Sequence, residues 1–177
     1  MKRILLIGAG RSTYSLVEYI KQHLVSEDWF LTVADQDLNL AQSKAGSSER
    51  SEAVSFDVTD EISRVSAISK ADLVISMLPA HMHLPVATDC IALGKHMLTA
   101  SYISDEMRAL DERAKDAGVV LINEIGVDPG IDHLSAMKVL DEVRTAGGKM
   151  LLFESFTGGL VAPESDKNPW NYKFTWN

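Results

Sequence analysis

The residues best placed to do chemistry begin at Gly8-Ala9-Gly10-Arg11-Ser12-Thr13, where the apolar run Arg3 to Ile7 gives way to a stretch of helical period. Two glycines one residue apart let a backbone approach a pyrophosphate closely. The helix that follows offers free N–H groups and the positive end of its dipole. The chemistry supported is dinucleotide binding through Gly8, Gly10, Arg11, Ser12 and Thr13. A tight turn in an α/β domain without phosphate affinity would use the same glycines. Thr13 replaces the third glycine of the G-x-G-x-x-G pattern and is expected to loosen the packing of helix on strand.

Further candidates end the later apolar runs. Asp35 closes the second, 25 residues beyond Gly10. A carboxylate there accepts both hydroxyls of an adenosine ribose and repels a 2′-phosphate, which favours NAD over NADP. The alternative is a solvated residue or a helix cap competing with Asp37. Asp57-Val58 closes the third run, where the pair can flank an adenine edge or the acid can share a helix cap with Thr59 and Asp60. Met77 and Leu78 are expected to pack beneath a nicotinamide ring. His81 and His83 have a spacing that admits a metal, but without further Cys or His nearby they are read as solvated loop histidines, and no metal is expected. Ser101-Tyr102 and the stretch Glu124 to Asp128 follow the fifth and sixth runs and form the catalytic zone. Asp128, which precedes Pro129, fits an Asx turn as well. His96 and His133 are read as structural or surface groups.

The elements that position these residues are strands at Arg3 to Ile7, Phe30 to Ala34, Ala53 to Phe56, Leu73 to Met77, His96 to Thr99 and Val119 to Ile122. Their nearly continuous apolar character predicts an α/β fold, a doubly wound parallel sheet with helices on both faces. Leu16, Ile20 and Leu24 make one helix stripe, and Met107, Leu110, Ala114 and Ala117 make another. Gly46, Gly94 and Gly118 suit helix C-termini, and Ser104 suits an N-cap. From Asp128-Pro129-Gly130 the pattern changes. A helix through Leu134, Met137, Leu140 and Val143 ends at Gly147-Gly148, and Lys149 to Phe156 reads as a strand. Residues 1–128 are therefore expected to bind the dinucleotide, and 129–177 to open a second, incomplete domain. Trp170, Tyr172, Phe174 and Trp176 have no later element to bury them and are expected to be mobile or to lie against a partner copy.

Composition narrows the classes of function. Of 177 residues 46% are apolar and 24% charged, enough for a core and against disorder. A net charge of -8 repels phosphate backbones and anionic lipid, so neither nucleic acid nor a membrane is an expected partner. Cys90 is alone, and only four apolar residues separate Met1-Lys2-Arg3 from Gly8, too few for a secretory signal. A soluble, cytoplasmic protein is expected.

Four ordered motifs carry a family likeness. They are Ala100-Ser101-Tyr102-Ile103-Ser104, the run Asn123 to His133, the run Gly158 to Ser165, and the run Asn168 to Trp176. On these the chain resembles saccharopine dehydrogenase of the L-glutamate-forming type. The resemblance implies a Rossmann domain followed by a substrate and dimerisation domain that continues past Asn177, and a homodimer at full length. It implies saccharopine contacts at Ser101, Tyr102 and Asp128; of these Asp128 and Tyr102 are expected to handle protons, because a carboxylate in a closing cleft can have its pKa raised into working range. It also implies a carboxylate-binding arginine beyond the last residue, so this chain by itself is expected to be inactive. The implied reaction oxidises the CH–NH bond of saccharopine with a nicotinamide cofactor, giving glutamate and 2-aminoadipate semialdehyde, with hydride expected to leave the glutamyl Cα. Two residues depart from the pattern. Thr157 stands at a family cysteine, and Asp35 stands where NADP-using relatives carry no acid. The rival readings are a related reductase of the carboxynorspermidine type and a non-catalytic dinucleotide sensor.

Overall fold

A computed structural model describes residues 1–156, 162–165 and 167–169. Thr157, Gly158-Gly159 and the aromatic residues Trp170, Tyr172, Phe174 and Trp176 lie outside the described residues.

Six strands form one parallel sheet: β1 (Lys2–Ile7), β2 (Trp29–Asp35), β3 (Ser51–Ser55), β4 (Leu73–Ser76), β5 (His96–Thr99) and β6 (Leu121–Ile122). Their order is β3-β2-β1-β4-β5-β6, so chain direction across the sheet reverses between β1 and β4. This is the doubly wound Rossmann arrangement, and its ligands bind at the strand C-termini beside that switch.

Alternation along the strands separates the two layers. Ile4 and Leu6 pack with Val17 and Ile20 of α1 (Tyr14–His23) and Ala41 and Ala45 of α2 (Leu38–Ala45). Leu5 and Ile7 pack with Ile68 of α3 (Glu61–Ser69) and with Val86, Cys90 and Ile91 of α4 (His83–Ala92). Successive side chains of a strand point to opposite faces, so an uninterrupted apolar strand feeds both cores. Within this second layer Arg64 of α3 ties its own helix to α4: its Nη1 donates to the Val58 carbonyl at 2.7 Å and its Nε to Asp89 of α4.

Several boundaries differ from the sequence reading for physical reasons. β3 is an edge strand, half-buried at best, and ends at Ser55. The stripe from Met107 to Ala117 breaks into α5 (Asp105–Arg108) and α6 (Asp111–Asp116), and Ala117, beyond the last turn, is exposed. Ser104 caps α5, accepting from the Met107 N–H at 3.2 Å. Gly46, Gly94 and Gly118 all take a positive φ at helix ends. Lys149 to Phe156 is not a strand. A strand needs a partner for its backbone groups, and none of the described residues supplies one.

The chain divides into a compact unit Met1–His133 and a second unit from Leu134. The helix α7 (Ile131–Thr145) starts in the first, and the Gly148 N–H closes its end on the Val143 carbonyl. Among the described residues no helix is long and apolar enough to cross a membrane.

Candidate active site

The glycine turn is held from two sides. Gly8 has φ +96, and a Cβ there would lie 2.9 Å from the Met77 carbonyl oxygen, so the turn after β1 can lie this close to the backbone after β4 only because this residue has no side chain. Gly8→Ala is expected to cost about 2–4 kcal/mol, from a positive φ plus a backbone clash. Denaturant midpoints check this, and an unchanged midpoint would mean that the turn relaxes freely. Gly10 is the opposite case. Nothing lies within 4 Å of a Cβ built on it, leaving room above the turn for phosphates next to the helical start Arg11–Thr13.

Thr13 does not loosen the packing. It is fully buried, and its hydroxyl donates to the Gly10 carbonyl at 2.8 Å. That bond occupies the hydroxyl inside the turn, while Arg11 and Ser12 remain exposed at its surface.

Asp35 does more than reach toward a ribose. Its Oδ2 accepts the Ala9 N–H at 2.7 Å and its Oδ1 the Asp37 N–H at 3.0 Å, so the carboxylate ties the glycine turn to the end of β2. Each oxygen keeps lone-pair capacity for a ligand. Asp37 takes the cap of α2, accepting from the Asn39 and Leu40 N–H groups. Asp57 accepts the Thr59 N–H at 2.8 Å and the Thr59 hydroxyl at 2.7 Å, bonds that hold its carboxyl below the usual range. Asp60 alone caps α3.

Gly8, Asp35, Val58 and Leu78 line one cleft of about 230 Å³ beside the switch between β1 and β4. Gln36, Phe56 and Met82 line it too and were not singled out from the sequence. Among the described residues no lysine or arginine lines it. Met77 faces the core under α1 and α2, and touches the turn through its backbone.

Across the switch, two loops are laced together. The Glu124 N–H donates to the Ser101 carbonyl at 3.0 Å, and Glu124 Oε1 accepts the Ile103 N–H at 3.0 Å. These two bonds hold Glu124 at φ +63, a left-handed conformation uncommon for a side chain of this size. Beyond it, the Gly126 N–H meets the Pro129 carbonyl at 2.9 Å, and the Ile131 N–H meets the Gly126 carbonyl at 2.9 Å. Asp128 sits exposed on this turn, its carboxylate making no hydrogen bond among the described residues, so it is not an Asx-turn acid. Tyr102 is 70% exposed. His133 is exposed beside Asp132, whose carboxylate raises its pKa.

His81 is exposed, but His83 is 2% exposed and opens α4. It is not a solvated loop residue. Pro85 two residues on was the available signal, because proline is favoured in a helix's first turn and places His83 at its start. The ring bonds Ser76 and Ser101. Loss of solvent, then the nearby His81 charge, pushes the His83 pKa below the ordinary imidazole value. The unfolded chain therefore binds a proton that the folded chain refuses, and stability falls as pH drops through about 6.5. Chemical denaturation at about pH 7.5 and about pH 5.5 should show that fall, and His83→Gln should remove it. A fall of equal size in the variant would assign it to other groups. Among the described residues no three His, Cys, Asp or Glu side chains cluster as metal ligands.

The "Saccharopine dehydrogenase NADP binding domain" family model matches residues 4–122, and the "Saccharopine dehydrogenase C-terminal domain" model matches residues 126–177. The chain is 42% identical to saccharopine dehydrogenase [NADP(+), L-glutamate-forming] of Pyricularia oryzae over 99% of its length and 38% of that protein's. It is 42% identical to the Schizosaccharomyces pombe protein of the same description over 100% of its length and 39% of that protein's. A solved apo saccharopine dehydrogenase (L-Glu forming) from Saccharomyces cerevisiae is 40% identical and superposes with a TM-score of 0.79, covering 99% of this chain and 39% of the yeast chain. The chain thus spans about two fifths of the length of the curated relatives it matches.

Proposed function

The chain belongs to the saccharopine dehydrogenase family, and from that membership we propose that the natural protein oxidises saccharopine to glutamate and 2-aminoadipate semialdehyde with a nicotinamide dinucleotide. In this reading residues 1–128 bind the dinucleotide, residues 129–177 open the substrate and dimerisation domain, and the enzyme is a cytoplasmic homodimer. The observation that most supports it is the lacing of the Ser101-Tyr102 loop to the Asp128 loop through Glu124, on the same sheet edge as the glycine turn.

When bound, the dinucleotide supplies the two-electron acceptor. The products dictate which carbon is oxidised. An aldehyde on the aminoadipate half requires loss of hydride from the methylene next to the amine nitrogen. Loss from the glutamyl Cα would give a 2-oxo acid instead, so that expectation is withdrawn. The N–H proton leaves as the C=N bond forms. Water then adds to the imine carbon, and the C–N bond breaks to release the aldehyde and the amine of glutamate. In this scheme Asp128 accepts the amine proton, Tyr102 exchanges protons with the attacking water, and Ser101 holds a substrate carboxylate.

We assign the dinucleotide as NAD, although the relatives' names specify NADP(+). Support comes from the cleft, which among the described residues holds the Asp35 carboxylate and no cation to meet a 2′-phosphate.

Steady-state assays of the natural protein test the whole reading. Saccharopine oxidation with NAD⁺ faster than with NADP⁺ is expected. Activity confined to carboxynorspermidine would move the protein to that reductase type. Dinucleotide binding without turnover of either would make it a sensor.

A further inference from the structure

A closed set of hydroxyls surrounds one imidazole behind the substrate loop. The Ser76 hydroxyl lies 2.9 Å from His83 Nδ1, and the Ser101 hydroxyl 2.7 Å from Nε2. Thr99 Oγ1 lies 3.3 Å from Nε2 and accepts the Ser101 backbone N–H at 3.2 Å. Ser76, His83 and Thr99 are each at most 2% exposed, whereas Ser101 is half-buried at the strand tip.

Hydrogen counting decides the tautomer. The Ser76 hydroxyl has His83 Nδ1 as its partner and no access to solvent. With a proton on Nδ1, the hydrogen of that hydroxyl would have no acceptor, an unmade buried bond. With Nδ1 as acceptor, the Ser76 O–H is satisfied and Nε2 carries the ring proton. That N–H then donates to Ser101 Oγ at 2.7 Å; the Thr99 hydroxyl hydrogen, 3.3 Å from a nitrogen that Ser101 engages in either tautomer, is poorly placed in both and does not separate them. A charged ring would return the Ser76 problem, so the network selects neutral imidazole. Ser101 Oγ, already receiving a hydrogen from the ring, turns its own hydrogen outward.

We propose that His83 is a positioning residue that fixes the Ser101 hydroxyl as a hydrogen-bond donor to a substrate carboxylate. This rests on the assignment of Ser101 as a saccharopine contact. His83 does not touch the substrate. It ensures that the first atom the carboxylate meets is a hydrogen rather than a lone pair, which discriminates against substrates without an anionic oxygen there.

Two measurements on the natural protein test this. Imidazole ¹⁵N shifts from histidine-labelled protein are expected to show His83 neutral and protonated at Nε2 from about pH 8 to about pH 6. A ring protonated at Nδ1, or charged, overturns the proposal. His83→Phe is expected to raise KM for saccharopine by about 10- to 100-fold with dinucleotide affinity unchanged, because the bond lost is one to a charged group. His83→Gln, whose amide N–H replaces Nε2–H, should recover most of that loss, and Ser101→Ala should match His83→Phe without adding to it. An unchanged KM in His83→Phe, or full additivity with Ser101→Ala, also overturns it. If His83→Phe does not fold, the tautomer and the Gln variant decide. A wild-type protein inactive on saccharopine would strike the functional reading, and the tautomer would then judge separately whether His83 directs Ser101.

Discussion

Replacing Asp128 by alanine is expected to lower saccharopine turnover by about 10²- to 10⁴-fold, the usual weight of one positioned acid or base, while dinucleotide affinity stays within about twofold. The separation of effects follows from position. The turn carrying Asp128 is closed by backbone bonds of Gly126, Pro129 and Ile131, none of which uses the Asp128 side chain. The cleft beside the switch is lined instead by residues of β1 to β4 and the loops after them. Asp128→Asn keeps the shape and removes the proton acceptor, so it should lose nearly as much. Measured kcat, KM and a calorimetric dinucleotide Kd settle the point. Turnover equal to wild type in Asp128→Ala would take this carboxylate out of the mechanism. Turnover kept only in Asp128→Asn would leave it a hydrogen-bonding role.

Asp35→Ala is expected to weaken NAD binding by about 100-fold or more, since bonds to a charged acceptor are worth about 1.5–3 kcal/mol each and two ribose hydroxyls are at stake. Its partners in the chain add to this loss. Without the carboxylate, the Ala9 N–H loses its 2.7 Å acceptor and the glycine turn loses its tie to β2. Asp35→Asn separates the two roles. Its amide oxygen still accepts one backbone bond, but the charge that repels a 2′-phosphate is gone, so discrimination against NADP should fall by about tenfold or more. Titrations of both dinucleotides against the three proteins read this directly. An unaltered NAD to NADP ratio in Asp35→Asn would show that another group sets cofactor choice.

Much of this molecule is written locally. The six parallel strands follow from apolar runs bounded by turns, the glycine loop from its place between strand and helix, and the helix ends from Gly46, Gly94 and Gly118. These features depend on neighbours a few residues away, where periodicity and backbone preference act. That the Ser101-Tyr102 loop and the Glu124 to Asp128 loop lie together was legible for the same reason, because strand C-termini of a parallel sheet share one edge.

Other features depended on partners far along the chain. His83 looks like a loop residue until β4, α4 and β5 bring Ser76 and Ser101 to its two nitrogens. Asp35 looks like a ribose acceptor alone until the fold lays Ala9 against it. Thr13 looks like a poor substitute for glycine until its hydroxyl finds the Gly10 carbonyl. Lys149 to Phe156 has the composition of a strand and no strand to pair with among the described residues. The amino-acid order by itself determined which backbone elements form and which loops share one edge of the sheet. Tertiary structure decided what each polar group bonds to, because a buried donor or acceptor is satisfied by whatever the folded chain places within about 3 Å, at any separation in sequence.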